Sequence, residues 1–265
     1  MNSEREEYTA ENNIKKYSIL TFIFDDYENI REPLEVSPNC EYILVTDNHN
    51  LSSKVWTIKY LPDVYKTASG FTKSFYVRYH PFEFVSTNVC IVLDGSIQIK
   101  KSLDKIINDF LKSNADICLS VHWNIKNPFE EYVYWTKHRN YSETQYLKNK
   151  AMLKALGFSP TYKGCFETNF KICKNDATTK SLHEFTYSLL EKLGSPKNVD
   201  RLDQSIFSGV MATQFTNLNV FLVTHQIIQN EYMMFCHHKS NEPYLCNINF
   251  SNLWFRNKKT NVYIL

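Results

Sequence analysis

The run Cys90-Ile91-Val92-Leu93-Asp94-Gly95-Ser96-Ile97-Gln98-Ile99 decides how this chain is read. Four apolar residues lead into a carboxylate, a glycine and a hydroxyl, and a second short β-prone run follows. An unbroken apolar run is what a strand buried on both faces of a parallel sheet requires. A carboxylate at its carboxyl end falls where open α/β sheets bind their ligands. Gly95 permits a tight turn and leaves room for something to approach. The pattern points to a nucleotide-sugar and metal site.

The flanking segments repeat the theme. Residues 17–24 read as a strand ending at Asp25-Asp26, residues 41–46 as a second ending at Asp47-Asn48, and residues 55–60 as a third. The spacing of Phe71, Phe75, Val77, Phe82 and Val85 predicts a helix over 70–87 that Pro81 must kink or restart. Ser102 is placed to cap a helix over 103–113, and residues 115–121 form a strand ending at His122. Beyond it come a helix over 143–156 stopped by Gly157 and Pro160, a strand over 166–173, a helix over 180–193 ended by Gly194 and Pro196, and a helix over 202–212. Residues 219–223 are short and β-like, and the tail beyond 226 is aromatic and irregular. Strands alternating with helices give an α/β fold with a mostly parallel central sheet flanked by helices. The expected organisation is a polar extension over 1–14 and one domain over 15–265. Its nucleotide-binding half spans 15–125; its acceptor-binding half and tail span 126–265.

Composition excludes several classes. The chain has 265 residues, 43% hydrophobic and 15% aromatic, enough for a sizeable core. Thirty lysines and arginines against 28 acids leave a net charge of only +2, which argues against a dedicated nucleic-acid binder. No 18-residue apolar stretch is present to span a membrane. The start, Met1-Asn2-Ser3-Glu4-Arg5-Glu6-Glu7, is the opposite of a signal peptide. Cysteines at 40, 90, 118, 165, 173, 236 and 246 make no CxxC pair and read as reduced thiols of a cytoplasmic protein. The sequons at Asn50, Asn140 and Asn249 carry little weight in so asparagine-rich a chain. The stretch Leu253-Trp254-Phe255-Arg256-Asn257-Lys258-Lys259 suits a docked terminal element, or a peripheral contact with a membrane carrying a lipid-linked acceptor.

Asp25, Asp26, Asp47 and Asp94 all stand at strand ends. Each alone is what a turn or helix cap uses. Together on one side of a sheet they make an acidic rim, and a diphosphate needs a cation to sit there. Mg²⁺ or Mn²⁺, with carboxylate, water and phosphate ligands, meets that need.

Asp94-Gly95-Ser96-Ile97-Gln98-Ile99 resembles the strand-end motif of a glycosyltransferase family of bacterial capsule and polysaccharide loci, which includes plant proteins linked to pectin and mucilage synthesis. Further blocks agree in order: His122 with Phe129-Glu130-Glu131; Gln145; Gly157-Phe158-Ser159-Pro160; Gly164-Cys165-Phe166-Glu167-Thr168-Asn169; and Leu202-Asp203-Gln204-Ser205. The resemblance covers about residues 17–215. It implies a GT-A type, Rossmann-like nucleotide-diphospho-sugar transferase fold.

Carried over residue by residue, Asp94 is the counterpart of the first carboxylate of an Asp-x-Asp motif, which holds the metal or the ribose. The third position here is Ser96, a poorer metal ligand. Asp203 matches a late acidic position, a general base in an inverting enzyme or a sugar-positioning group in a retaining one. Otherwise it caps a helix. Glu167, after a glycine, is a catalytic or sugar-binding candidate, and Lys171 or Lys174 could neutralise departing diphosphate. Of Lys73, Arg78 and His80, Arg78 is preferred as a donor contact, because a guanidinium clamps phosphate with two bonds. Gly95, Ser96, Asp25, His122 and Gln204 complete the implied donor site. His237-His238 resemble the late histidine completing the metal site of glycogenin-like enzymes, so the implied metal ligands are Asp94, His237 and His238. Adjacent histidines on an extended chain face opposite ways, so at most one ligates easily.

The implied function is transfer of a sugar from a nucleotide-diphosphate donor, UDP-linked, to a glycan or lipid-linked glycan acceptor in surface polysaccharide synthesis. The alternative is a non-catalytic nucleotide-sugar or glycan-binding module derived from such an enzyme. A metal hydrolase built on His122 with His237 or His238 lacks any HExxH-like spacing.

Overall fold

The computed structural model describes residues 16–122, 125–139, 143–162, 164–193, 202–240, 242–243 and 262–264. The extension over 1–14, Asn140, Gly194, Pro196, Cys246, Asn249 and the stretch 253–259 lie outside the described residues, as does the side chain of Gln145.

The apolar runs become strands: β1 (Tyr17–Ile23), β2 (Cys40–Thr46), β3 (Thr57–Tyr60), β4 (Val89–Asp94), β5 (Ile97–Ile99), β6 (Ile117–Val121), β7 (Phe166–Lys174), β8 (Val220–Thr224), β9 (Met233–Phe235) and β10 (Val262–Ile264). Eight of them form one sheet in the order β10-β8-β6-β7-β4-β1-β2-β3, and β5 pairs with β9 in a separate ribbon. Every neighbouring pair in the large sheet is parallel except those made by β7, which runs antiparallel to both β4 and β6.

Alternation along β1 supplies both layers. Leu20, Phe22 and Phe24 pack with residues of helices α1 (Gly70–Tyr79), α5 (Ala177–Leu193) and α6 (Leu202–Thr213). Ile19 and Ile23 pack on the other face with α2 (Asp104–Lys112), Trp56 and the β5–β9 ribbon. Each such Leu, Ile or Phe contributes about 1.5–3 kcal/mol by leaving water. Helix α3 (Pro128–Arg139) packs against α4 (Glu143–Ala155) and α6. The six described cysteines are buried and none is bridged to another. No described helix is long and apolar enough to cross a membrane.

Several boundaries differ from expectation for local reasons. Helix α1 stops at Tyr79 rather than 87, because His80, preceding Pro81, leaves the helical region (φ −125°, ψ 46°). Pro81 then heads a separate 3₁₀ turn. Ser102 lies one residue too early to be the N-cap of α2; its hydroxyl accepts from the Asp104 amide at 3.2 Å, and Leu103 takes the cap position. Helix α3 is absent from the periodicity reading, yet its start is written in the chain. Pro128 opens it, Glu130 and Glu131 fall in its first turn, and Asn127 Oδ1 accepts from the Phe129 amide at 2.7 Å.

Gly95 shows why the opening motif needs a glycine. A Cβ there would lie 2.9 Å from the Phe22 carbonyl oxygen and 2.9 Å from Ile23 Cγ1. The close approach comes from β1's own backbone, and the requirement is one of space. Gly95→Ala must push β4 away from β1, and we expect a loss of about 1–3 kcal/mol, as in other overpacked cores. A shifted midpoint in urea denaturation checks it; an unchanged midpoint contradicts the packing argument.

Candidate functional site

Because β1, β2, β4, β6 and β8 run parallel, their carboxyl ends share one edge of the sheet. Asp25 and Asp26 follow β1, Asp47 follows β2, Asp94 ends β4, His122 follows β6 and His225 follows β8. The antiparallel β7 brings its first residues, including Glu167 and Thr168, to the same edge. Its register against β6 slips from Leu119↔Lys171 to Ser120↔Glu167. Such bulges re-aim side chains beside functional sites.

Arg78, buried on α1, stands at the centre. Its Nη2 donates to Asp94 Oδ1 and its Nη1 to Asp203 Oδ2, and its guanidinium carbon lies 5.3 Å from the centre of the Phe22 ring. Burial alone would lower the Arg78 pKa; Asp94 and Asp203 outweigh it and raise it above the usual arginine value. Thr168 Oγ1 donates to the same Asp203 oxygen at 2.7 Å. Asp203 also sits in the first turn of α6, where a negative charge complements the helix dipole. Breaking the arm to Asp203, buried on both sides, costs about 3–5 kcal/mol. Arg78 Nε is buried without a partner among the described residues, an unsatisfied donor at the heart of the bridge.

Gln204 is a brace behind this bridge. Its Oε1 accepts from the Thr168 amide at 3.4 Å and its Nε2 donates to Glu131 Oε1 at 2.8 Å. Ser205 donates to the other Glu131 oxygen, so α6, α3 and β7 are tied through one buried carboxylate. Both ends of the Gln204 amide, expected at the donor, are engaged within the protein.

Asp25 and Asp47 share the second cation of α1. Lys73 Nζ lies 2.6 Å from Asp47 Oδ2 and 3.4 Å from Asp25 Oδ1. Burial pulls the Lys73 pKa down, but Asp47 and Asp25 raise it overall. Asp25 Oδ2 also accepts from the Gly70 amide at 2.7 Å, so it anchors the start of α1. Asp25 and Asp26 hold left-handed backbone (φ 53° and 50°), a strain of about 1–3 kcal/mol each that tends to mark functional loops. Beside them opens a groove of ≈ 460 Å³ lined by Asp26, Asn29, Asn48, Leu51, Ser52 and Lys239, among others.

Glu167 faces His225, with Nδ1 3.0 Å from Oε2 and both side chains buried. Burial alone would push the Glu167 carboxyl up. His225, then His122 and the Asn169 amide, more than reverse this and hold it at about 2. His122 accepts from the Ile125 amide through Nδ1 at 3.0 Å, so its ring is partly committed to the turn after β6. His225 escaped the sequence reading, although it follows β8 as His122 follows β6. The same rule, a polar side chain after a buried strand, would have found it.

Two expectations are corrected. Lys171 is fully buried, 3.1 Å from His183 Nε2 and 4.5 Å from the Tyr79 ring centre, so it faces the helix layer and not a departing diphosphate. Lys174 lies 5.2 Å from the Phe110 ring centre, in the opposite layer. The metal trio Asp94, His237 and His238 does not come together either. His238 pairs through Nδ1 with Glu28 at 3.3 Å and through Nε2 with Tyr27 at 2.8 Å, and Asp94 Oδ1 is engaged by Arg78. Among the described residues no three His, Cys, Asp or Glu side chains are placed to hold a metal ion. The described residues thus offer no preformed three-ligand metal centre. What Asp94 offers is one carboxylate, a third exposed, whose Oδ2 has no partner among the described residues; Ser96 beside it brings no second carboxylate.

No family model matches the sequence, and no curated protein does. Among solved structures the chain is similar to the galactosyltransferase LgtC in complex with donor and acceptor sugar analogues. That match has 12% identity, covers 73% of this chain and 70% of that one, and has a TM-score of 0.40. It is also similar to apo mouse xyloside xylosyltransferase 1, at 10% identity, 76% and 82% coverage and a TM-score of 0.39. Likeness at this level carries no argument, and function has to be read from the edge itself.

Lys171 makes the helix layer sensitive to pH. Burial, the largest influence, lowers its pKa to about 7, against 10.5 in an unfolded chain. Between those values the unfolded state holds the extra proton, so this group makes stability rise as pH climbs from about 7 to about 10.5. Lys171→Met is expected to raise the melting temperature at pH 6.5 and to flatten the rise toward pH 10. A variant whose melting temperature falls at pH 6.5 contradicts this.

Proposed function

We propose that the chain is a GT-A-like glycosyltransferase that moves a sugar from a nucleotide-diphosphate donor to a glycan acceptor. The observation that carries this reading is the Arg78 bridge between Asp94 and Asp203 at the carboxyl edge of a mostly parallel sheet, an edge that also carries a polar groove past the ends of β1 and β2. Open α/β sheets bind their ligands at that edge, and a groove of ≈ 460 Å³ suits a nucleoside. The asparagines and Ser52 offer donors and acceptors to base and ribose, Leu51 an apolar surface, and Lys239 a positive charge.

At the reacting end, Arg78 fixes Asp94 and Asp203 in place through its two arms. Carboxylate oxygens of Asp94 accept sugar hydroxyls. Glu167, held at about 2, is ionised at every physiological pH, which suits it to stabilise positive charge at the anomeric carbon and makes it a weak proton acceptor. A divalent cation brought in with the donor would be held by the Asp94 carboxylate and would supply charge to offset the diphosphate. A UDP-linked donor, a lipid-linked acceptor and a role in cytoplasmic surface polysaccharide assembly extend the same proposal, on the resemblance of the sequence motifs.

One observation favours a second reading, a binding module without turnover. Asp203, the late carboxylate expected to meet the acceptor hydroxyl, is 2% exposed and already receives Arg78 and Thr168.

Assay of a nucleotide-sugar panel for released nucleotide diphosphate, with glycan acceptors present, separates the two. Turnover is expected, with Asp94→Asn reducing it about 10²–10³-fold, the scale for removing one group that stabilises a transition state, while circular dichroism stays unchanged. Binding without release supports the module; undiminished turnover in Asp94→Asn removes the central claim.

A further inference from the structure

Glu167 and His225 meet beside the β5–β9 ribbon, and the chain fixes both from several directions. His225 follows β8, and its ring lies 4.2 Å from that of Phe235 in β9, inclined by 28°. Phe235 pairs with Ile97, and the Cys236 amide donates to the Ser96 carbonyl at 3.1 Å. The imidazole is therefore seated by the ribbon that grows directly out of Asp94-Gly95-Ser96.

Glu167 arrives from β7. Where the register slips from Lys171 to Glu167, residues 168–170 bulge out, and Asn169 turns back to donate through Nδ2 to Glu167 Oε2 at 2.6 Å. His225 Nδ1 lies 3.0 Å from the same oxygen. A carboxylate oxygen can only accept, so the proton between them sits on Nδ1. Both donors thus fall on Oε2. Oε1 takes none from the described residues, and it is not cut off from solvent although the side chain is only 3% exposed. The last pair of β4 with β7, Leu93↔Phe170, sets Asp94 and Asn169 next along their strands, so this oxygen belongs to the Asp94 edge.

On the donor reading given above, we propose that His225 is a positioning residue of this edge: it clamps Oε2 of Glu167, so that Oε1 alone meets a hydrogen-bond donor of the sugar. A clamped carboxylate accepts and cannot donate, so the group it meets is a hydroxyl or an amine.

Two substitutions separate the clamp from packing. His225→Phe keeps a ring against Phe235 and removes the donor, whereas His225→Asn loses the ring and keeps an N–H near the Nδ1 position. In the nucleotide-sugar assay the Phe variant is expected to lose about 10²-fold in turnover, the scale of a misplaced reacting group. The Asn variant is expected to keep most of it. A readout that needs no turnover is the carboxyl ¹³C NMR signal of Glu167, identified by its loss in Glu167→Gln. In the wild type this signal stays that of a carboxylate down to about pH 4, because His225, His122 and Asn169 favour the charged form. The thiol of Cys165, which also faces Glu167, is pushed up by burial and stays neutral throughout. In the Phe variant Glu167 is expected to titrate above its ordinary 4.5, since burial then prevails, and in the Asn variant to follow the wild type.

A Phe variant that titrates as the wild type does, or a folded Asn variant that titrates as the Phe variant should, overturns the clamp. If the Phe variant does not fold, the Asn variant decides alone: a wild-type titration sustains the clamp and a raised one overturns it. Full turnover in a Phe variant whose Glu167 signal has moved overturns the role in the reaction. A wild type that turns over no donor, with the titrations as expected, overturns the donor reading and leaves the clamp standing.

Discussion

The ion bridge from Arg78 to Asp94 and Asp203 is the constraint on which the rest of this edge depends. It joins α1 and the end of β4 to the start of α6, 125 positions further along the chain than Arg78. A buried guanidinium between two carboxylates is tolerated only because each partner satisfies the other. Removing any one leaves a charge stranded in a poorly solvated layer. The geometry of α6 is therefore not set by apolar packing alone. Its first turn is pinned through Asp203 to Arg78 and Thr168, and through Gln204 and Ser205 to Glu131.

The same device recurs along the edge. Lys73 joins Asp25 to Asp47, Arg31 joins Glu28 to the carbonyls of His237 and Ser240, and His225 faces Glu167. Acidic residues gathered by parallel strands would repel one another, and helix and loop cations hold them in place. That leaves the rim rigid. Rigidity is what a site needs to present charge without reorganising during reaction.

Much of this was legible in the chain. The apolar run into Asp94, repeated at Asp25 and Asp47, announced parallel strands with carboxylates at one edge, because burial on both faces demands continuous apolar sequence. Arg78 was preferred over Lys73 as the donor contact, whereas the structure has both cations of α1 serving the rim. Helix α3 was missed since its start is written in caps and first-turn acids rather than in periodicity. The orientation of β7 could not be read, since an antiparallel strand buried on both faces has the same composition as a parallel one. Lys171 misled for a related reason: β7 alternation sends its side chain into the helix layer, and only the register tells which face that is.

By itself, then, the sequence determined that the chain builds an α/β sheet and that Asp94, Gly95 and the neighbouring aspartates stand at strand ends, since these follow from hydrophobic pattern and local turn chemistry. The tertiary structure alone decided which charges meet. Asp203 and Arg78 are 125 positions apart, and His238 and Glu28 are 210 apart. Nothing local couples such residues. Their pairing is fixed by strand order, by the direction of β7 and by the way α1 and α6 share one face. So the strand-end motif located the edge, and the packing of helices upon it paired Asp94 with the Arg78 guanidinium rather than with His237 or His238.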